Sequence, residues 1–299
     1  MIAAGALALL AAILFACGSV VQQRAAGEVP DTEADGLGLL ARLVRRPLWL
    51  AGTGADVLGF VAQFAALGFG SLLLIQPLLA TTLLFALPAA ARLAHRRLSR
   101  SDWGWALLLT GGLAVFLGTG HLNEGHSLAS LGRWLLVGVV IVPVVGALWA
   151  MGAPRRGAAR AVPFAIAAGI LFGSMSALAK SSVNLLESGL VHLLSAWEPY
   201  AMVGCGVLGL VLQQAAYQTG ALALSLPAIT VLEPVTASAL GVVVLGEEVR
   251  ASGAGWLVIG AACAAMAAGV VALSRAEAAL ERPAGGSPAP APAPRAVRR

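Results

Sequence analysis

Residues 221–246 read ALALSLPAITVLEPVTASALGVVVLG, an apolar stretch in which Glu233 is the single charged side chain. A helix of about 20 apolar residues is long enough to cross the hydrocarbon core of a bilayer. This stretch therefore predicts a transmembrane helix. The glutamate near its centre, followed by Pro234, marks a polar position at membrane depth.

The rest of the chain has the same apolar character. Of its 299 residues, 59% are hydrophobic and only 11% are charged, whereas an average soluble domain carries about 25% charged residues. The mean hydropathy of +0.87 excludes an ordinary soluble domain and a disordered chain. The net charge of +5 does not indicate nucleic-acid binding, because the basic residues lie between the apolar stretches rather than together. No catalytic triad, phosphate loop or zinc motif is present in the sequence, so we expect neither enzyme activity nor a cofactor.

Nine apolar stretches predict an all-α fold, a polytopic membrane helix bundle. They cover residues 2–21, 48–68, 72–91, 103–119, 134–152, 161–179, 199–217, 221–246 and 254–273. Two further apolar patches, 36–44 and 183–197, are too short or too interrupted to be assigned as spans, and whether they enter the membrane stays open.

The basic residues predict the orientation, since cytoplasmic loops of membrane proteins are enriched in Lys and Arg. With nine spans, sixteen basic residues fall on one side, and only Arg133, Lys180 and Arg250 fall on the other. We therefore expect the N-terminus outside and the C-terminus in the cytoplasm. Eighteen Arg against one Lys in an Ala-rich chain indicate a bacterial source, and hence the bacterial cytoplasmic (inner) membrane.

Matching residues recur in the two halves of the chain at offsets of 150 to 157 positions. The matches include Ile13-Leu-Phe15 with Ile170-Leu-Phe172, Gln63 with Gln213, and Gly104-Trp105 with Gly255-Trp256. Because five spans separate equivalent helices, the second half is inserted upside down relative to the first. The predicted domains are a first transmembrane repeat (1–120), a linking helix (121–160), a second, inverted repeat (161–275) and a disordered, Pro/Ala-rich basic cytoplasmic tail (276–299).

Ionisable and polar residues inside spans are costly, so they are candidates for a functional site. Glu233 and Asp56 are candidate coupling groups, and Pro77 and Pro234 are candidate helix breaks at corresponding positions of the two halves. The candidate polar lining consists of Gln76, Gln213, Gln214 and Tyr217. The alternative for each is hydrogen bonding within the bundle, and whether any of them binds a metal stays open.

Three quoted runs carry a resemblance to a known family. They are Ala223–Val235 with Gly246-Glu247, Gly255–Gly260, and Ala65–Leu78 with its Gln76-Pro77 pair. In these runs the chain resembles the drug/metabolite transporter superfamily, in its EamA-type and NIPA-type (magnesium transporter-like) branches. The resemblance implies transport of small molecules or ions by alternating access between two inverted halves. The chain departs from the usual plan of ten helices with the N-terminus inside, so the substrate cannot be carried over.

The sequence thus favours a secondary transporter, proton- or cation-coupled, whose partners are the lipid bilayer and a small-molecule or ion substrate. One alternative is a magnesium or divalent-cation permease, since two carboxylates and several carboxamides supply the oxygen ligands that Mg²⁺ prefers. Another is a non-transporting scaffold or assembly protein. The GxxxG motif Gly169–Gly173 permits close helix packing either within the chain or in a homodimer.

Overall fold

The computed structural model describes residues 2–27, 45–93, 97–123, 129–217, 222–251 and 253–280. These residues form an almost entirely helical bundle, as the sequence predicts. The apolar patch 36–44 and most of the predicted tail, residues 281–299, lie outside the described residues.

Eleven helices and two short strands make up the described part of the chain. The first half contains α1 (Ile2–Gly27), α2 (Pro47–Phe69), α3 (Leu72–Leu79), α4 (Thr82–Leu93), α5 (Arg100–Thr119) and strand β1 (His121–Asn123). A linking helix, α6 (Leu131–Gly152), follows. The second half contains α7 (Ala158–Glu187), α8 (Leu190–Ser195), α9 (Glu198–Tyr217), α10 (Leu222–Val243), strand β2 (Glu248–Arg250) and α11 (Gly255–Leu280).

Seven helical segments are long and apolar enough to cross a membrane by length and composition. They are Ile2–Val21, Pro47–Phe69, Leu72–Arg92 (α3 and α4 together), Leu131–Gly152, Ala159–Glu187, Leu224–Val243 and Gly255–Ala276. The chain is thus a multi-pass membrane protein. Helices α5 and α9 are 20 residues long but carry polar residues such as Asp102, Glu198 and Gln213, and they are not among the seven.

Two predicted boundaries in the second half are wrong. The predicted span 161–179 is part of a 30-residue helix, α7, which continues through Lys180 to Glu187. Lys180 is expected in an external loop but lies inside this helix. It is buried there, and its ammonium donates hydrogen bonds to the backbone carbonyls of Leu67 in α2 and of Gly70, which follows α2. The patch 183–197 is divided between the end of α7 and the six-residue helix α8. In addition, α11 extends to Leu280, into the region predicted as tail.

Some helix contacts of the first part of the chain resemble contacts of the second part. Helix α1 lies against α2 and α4, as α7 lies against α9 and α10, and α5 packs against α11. The Phe15 ring of α1 covers Gly59 of α2, where a Cβ would be 2.8 Å from the ring. The Phe172 ring of α7 covers Gly209 of α9, where a Cβ would be 2.9 Å from the ring. Glycine at these two positions lets an aromatic ring lie directly on the neighbouring helix.

The linking helix α6 is the most peripheral of the long apolar helices. Only 6% of its apolar window is buried in the bundle, against 72% for α7, on which it packs. Its outward residues are large and apolar, for example Leu136 and Val139, and such a surface is suited to lipid contact. Strands β1 and β2 pair antiparallel, with Leu122 opposite Val249, and thus join the end of α5 to the end of α10.

Candidate functional site

Glu233 lies where α7 and α10 approach each other most closely. A Cβ on Gly173 would lie 2.5 Å from the Glu233 carbonyl oxygen and 2.9 Å from the Ala237 nitrogen. A Cβ on Gly169 would lie 2.6 Å from the Leu232 Cβ. The GxxxG motif therefore packs within the chain. The Glu233 side chain is half-buried, and it forms no hydrogen bond or ion pair with any other described residue.

The prolines do not interrupt the helices where the sequence predicts. Helix α10 continues through both Pro227 and Pro234. In the first half the interruption falls at Ala80–Thr81, after Pro77, which lies inside α3. There the Thr81 amide donates to the Leu78 carbonyl at 3.1 Å and the Thr81 hydroxyl donates to the same oxygen at 2.6 Å. These local bonds satisfy the backbone where the regular helical pattern ends.

Gln76 is the buried polar group of α3. It is 2% exposed, and its Nε2 atom has no acceptor among the described residues. Helix α3 packs against α1 of its own half and against α10 of the other half. Gln76 is therefore a buried hydrogen-bond donor in a helix that contacts both halves, and an unpaired donor of this kind costs about 1–3 kcal/mol.

Asp56 lies at the interface between α1 and α2. A Cβ on Gly18 would overlap the Asp56 carboxylate and would be 3.0 Å from the Gly52 carbonyl oxygen. Gln63, two turns along α2, instead donates to the Ser176 hydroxyl of α7 at 3.4 Å. The structure therefore places Asp56 and Glu233 at different helix interfaces. No group of three or more metal-ligating side chains occurs in the part of the chain that the structure describes.

The remaining predicted lining residues lie on α9, which packs against α7 and α10. Gln213 is half-buried there. Gln214 and Tyr217 belong to the same helix, but their side chains lie outside the described part of the structure. The contacts of α9 therefore place this helix beside α7 and α10.

Two buried charged residues that are not among the predicted site residues bind backbone groups through their side chains. Glu247 is 1% exposed, and its carboxylate accepts hydrogen bonds from the Leu72 amide at 2.8 Å and the Leu73 amide at 3.0 Å. Lys180 is 7% exposed, and its ammonium donates to the Leu67 carbonyl at 2.6 Å and the Gly70 carbonyl at 2.9 Å. We call Lys180, Glu247 and the backbone of residues 67–73 that they bind the charge clamp.

The clamp matches charge to helix ends. The amides of Leu72 and Leu73 begin α3 and carry partial positive charge, which favours a carboxylate. The Leu67 carbonyl belongs to the last turn of α2, which carries partial negative charge and favours a cation. Two residues of the second half thus bind backbone carbonyls at the end of α2 and backbone amides at the start of α3, on both sides of the α2–α3 turn.

The fold at the end of α10 fixes the position of Glu247. Gly246 has a φ of 70°, a left-handed conformation that favours glycine. This turn lets the Glu247 amide donate to the Gly241 carbonyl at 2.9 Å. A Cβ on Gly241 would lie only 2.8 Å from the Glu247 Oε2 atom, so glycine leaves the room that the carboxylate occupies. Nearby, Arg133 of α6 donates to the Val244 carbonyl at 3.2 Å.

Two sequence signals point to the clamp. Lys180 is the chain's single lysine and follows directly on an apolar span, and Glu247 follows directly on the apolar run 221–246. Their partners are backbone groups, which leave no pattern in the sequence.

The curated relatives of this chain include an uncharacterized protein of Corynebacterium glutamicum. It is 34% identical over 231 residues, which cover 77% of this chain and 80% of the relative. No protein-family model matches the chain, and no solved structure matches it.

Proposed function

We propose that this chain, which belongs to the same family as the Corynebacterium glutamicum protein, is a secondary transporter of a small molecule or ion. In this proposal it works by alternating access in the bacterial cytoplasmic membrane. The observation that carries the proposal is the position of Glu233 in a membrane bundle, where its backbone packs closely on Gly173 and its carboxylate has no bonded partner among the described residues. Such a residue is expensive in a membrane and is typical of an ion or proton pathway.

The proposed architecture has nine spans, with α5 and α9 added to the seven apolar segments, and two inverted repeats joined by α6. The matched packing of Phe15 on Gly59 and of Phe172 on Gly209 supports the repeat. Inverted repeats are common in secondary transporters, which place their substrate between the repeats. The segregation of basic residues supports an outside N-terminus and a cytoplasmic C-terminus. We retain the drug/metabolite transporter superfamily as the proposed wider group.

In the proposed mechanism Glu233 takes up and releases a proton or binds a cation as water reaches it from alternate sides. Gln76 offers its unpaired amide to the substrate or to water between the halves. Asp56 lies against Gly18 at the interface of α1 and α2, so we assign it to a different site from that of Glu233.

The experiment is electrical recording from proteoliposomes adsorbed on a solid-supported membrane. The solutes applied are a panel of amino acids, polyamines, sugars and nucleosides, with a pH-sensitive dye inside parallel vesicles. A protein-dependent current or proton flux with at least one solute supports the proposal. No response across the panel, with correctly folded protein, contradicts a solute carrier.

The second candidate is a magnesium permease, favoured by the acidic groups Asp56 and Glu233 within the bundle. A magnesium-sensitive dye inside the same vesicles tests it. Mg²⁺ entry that falls in both Asp56→Asn and Glu233→Gln favours this candidate over an organic-solute carrier. A scaffold role predicts neither Mg²⁺ entry nor solute response.

A further inference from the structure

We propose that Lys180 and Glu247 are gate residues, which hold closed the end of the bundle where α2 turns into α3. Their release from the backbone of residues 67–73 opens that end. This inference rests on the proposed transport function, because a gate has a purpose only in a protein that opens.

The clamp joins the two halves of the chain. Lys180 and Glu247 both belong to the second half, and the four backbone groups that we describe their side chains binding belong to the first half. Within the second half, α7 and α10 are packed backbone to backbone at Gly169 and Gly173. Helices α7 and α10 therefore move most easily as one body, and the clamp residues move with them against the α2–α3 turn.

The clamp is suited to switching between a bound and a released state. Both charged groups are almost fully buried, so each depends on its hydrogen bonds for its stability. If the turn moves away from α7 and α10, the carboxylate and the ammonium each lose both described bonds together. Packed interfaces of this kind switch between arrangements rather than deform gradually.

The clamp binds the first turn of α3 where that turn lies on α10. A Cβ on Gly241 would lie 3.4 Å from the Leu72 Cβ, so the first turn of α3 lies directly on α10. Gln76 is one helical turn further along α3 and faces the same side as Leu72. Separation of Leu72 from Gly241 therefore opens a route toward Gln76 from the clamp end.

The experiment measures access to that route by cysteine labelling and needs no substrate. The background carries Ala at Cys17, Cys205 and Cys263, and Gln76→Cys is the reporter. Sealed vesicles of both orientations receive a membrane-impermeant maleimide. We expect slow labelling with the intact clamp. In Glu247→Gln or Lys180→Met, labelling from the end of the bundle that carries the clamp should be about 10-fold faster or more, because hydrogen bonds to charged groups are lost.

The matched control is Glu248→Gln. Glu248 is the next residue, but it is exposed and its carboxylate pairs with Arg250 at 2.9 Å. The gate would be overturned if both clamp variants were labelled at the rate of the protein with the intact clamp, or if the Glu248→Gln control showed an equal increase in rate.

A cross-link separates opening from unfolding. A Cβ on Gly68 would lie 3.3 Å from the Val183 Cγ1 atom, so Gly68→Cys with Val183→Cys can join α2 to α7 beside Lys180. In the Glu247→Gln background, oxidation of this pair should return labelling of the Gln76→Cys reporter to the slow rate. If labelling stays fast once the cross-link has formed, the variant reports general loosening and the gate is overturned.

Recordings from vesicles of the unvaried protein, with Gln76 in place, are combined with the labelling to distinguish failure of the gate from failure of the proposed function. Solute-dependent current together with unchanged labelling overturns the gate alone. Faster labelling that the cross-link reverses, without current for any solute or Mg²⁺, supports an end that opens and overturns transport.

Discussion

Helices α1 and α7 start the two halves and share one kind of packing contact, yet they differ in burial and in the charge that they carry. Each places a phenylalanine ring on a glycine of the next long helix, Phe15 on Gly59 and Phe172 on Gly209. However, 72% of the apolar window of α7 is buried, against 39% for α1, and only α7 extends a buried lysine to the other half. The contact of phenylalanine with glycine packs neighbouring helices within each half, whereas the charge of Lys180 links the two halves.

The largest effect should come from removing that charge. Lys180→Met leaves the Leu67 and Gly70 carbonyls without their donor, and we expect a loss of about 2–5 kcal/mol of stability, since each unsatisfied buried group costs about 1–3 kcal/mol. Thermal unfolding in detergent measures it. The control is Arg250→Met at an exposed position. A shift in unfolding temperature no larger than that of the control would show that the ammonium does not stabilise the fold.

The shared contact can be tested by truncating both rings. Phe15→Ala and Phe172→Ala should each destabilise the protein by about 1–3 kcal/mol, less than a fully buried phenylalanine because both rings are only partly buried. The two unfolding temperatures should fall by similar amounts. A large fall for one variant and none for the other would argue against equivalent packing in the two halves.

The tight contact of α7 with α10 leaves no room for a methyl group. Gly173→Ala should cost about 1–3 kcal/mol by overpacking against the backbone beside Glu233. Gly138→Ala in α6 is the control, since a Cβ there meets no atom within 4 Å. That control should be neutral or stabilising by up to about 1 kcal/mol, because Ala favours helix over Gly. Equal unfolding temperatures for the two variants would refute the close approach.

The smallest effect should come from the polar contact between the halves. Ser176→Ala removes the acceptor of Gln63, and we expect about 0.6 kcal/mol, the average for interhelical hydrogen bonds in a membrane protein. Ser174→Ala is its control, because the Ser174 hydroxyl bonds to the Ile170 carbonyl of its own helix. If Ser176→Ala destabilises the protein as strongly as Lys180→Met, the clamp is not the main polar link.

The sequence is sufficient to predict the helical membrane bundle because length and hydropathy alone determine which segments can cross a bilayer. The GxxxG motif predicts a close-packing site, and Gly173 against Ala237 confirms that interpretation. The predicted end of α7 falls too early, because Lys180 interrupts the hydropathy although the helix continues through it.

The candidate site is less accessible from sequence. Glu247 resembles a loop residue after an apolar run, and its burial depends on the turn at Gly246 and on amides 174 and 175 positions away in the chain. Pro234 is expected to break its helix, but α10 continues through it. Such outcomes follow from backbone partners and neighbouring helices, neither of which appears in a local pattern.

The most direct test of the proposed transport is coupled flux through Glu233→Gln protein in proteoliposomes. Glu187→Gln is the matched control, because Glu187 is an exposed carboxylate at the end of α7. We predict that solute-driven proton or cation flux is present in the unvaried protein and in Glu187→Gln and is lost in Glu233→Gln, while folding is unchanged. Flux in Glu233→Gln equal to that of the unvaried protein, with the same pH dependence, would contradict the coupling role of Glu233.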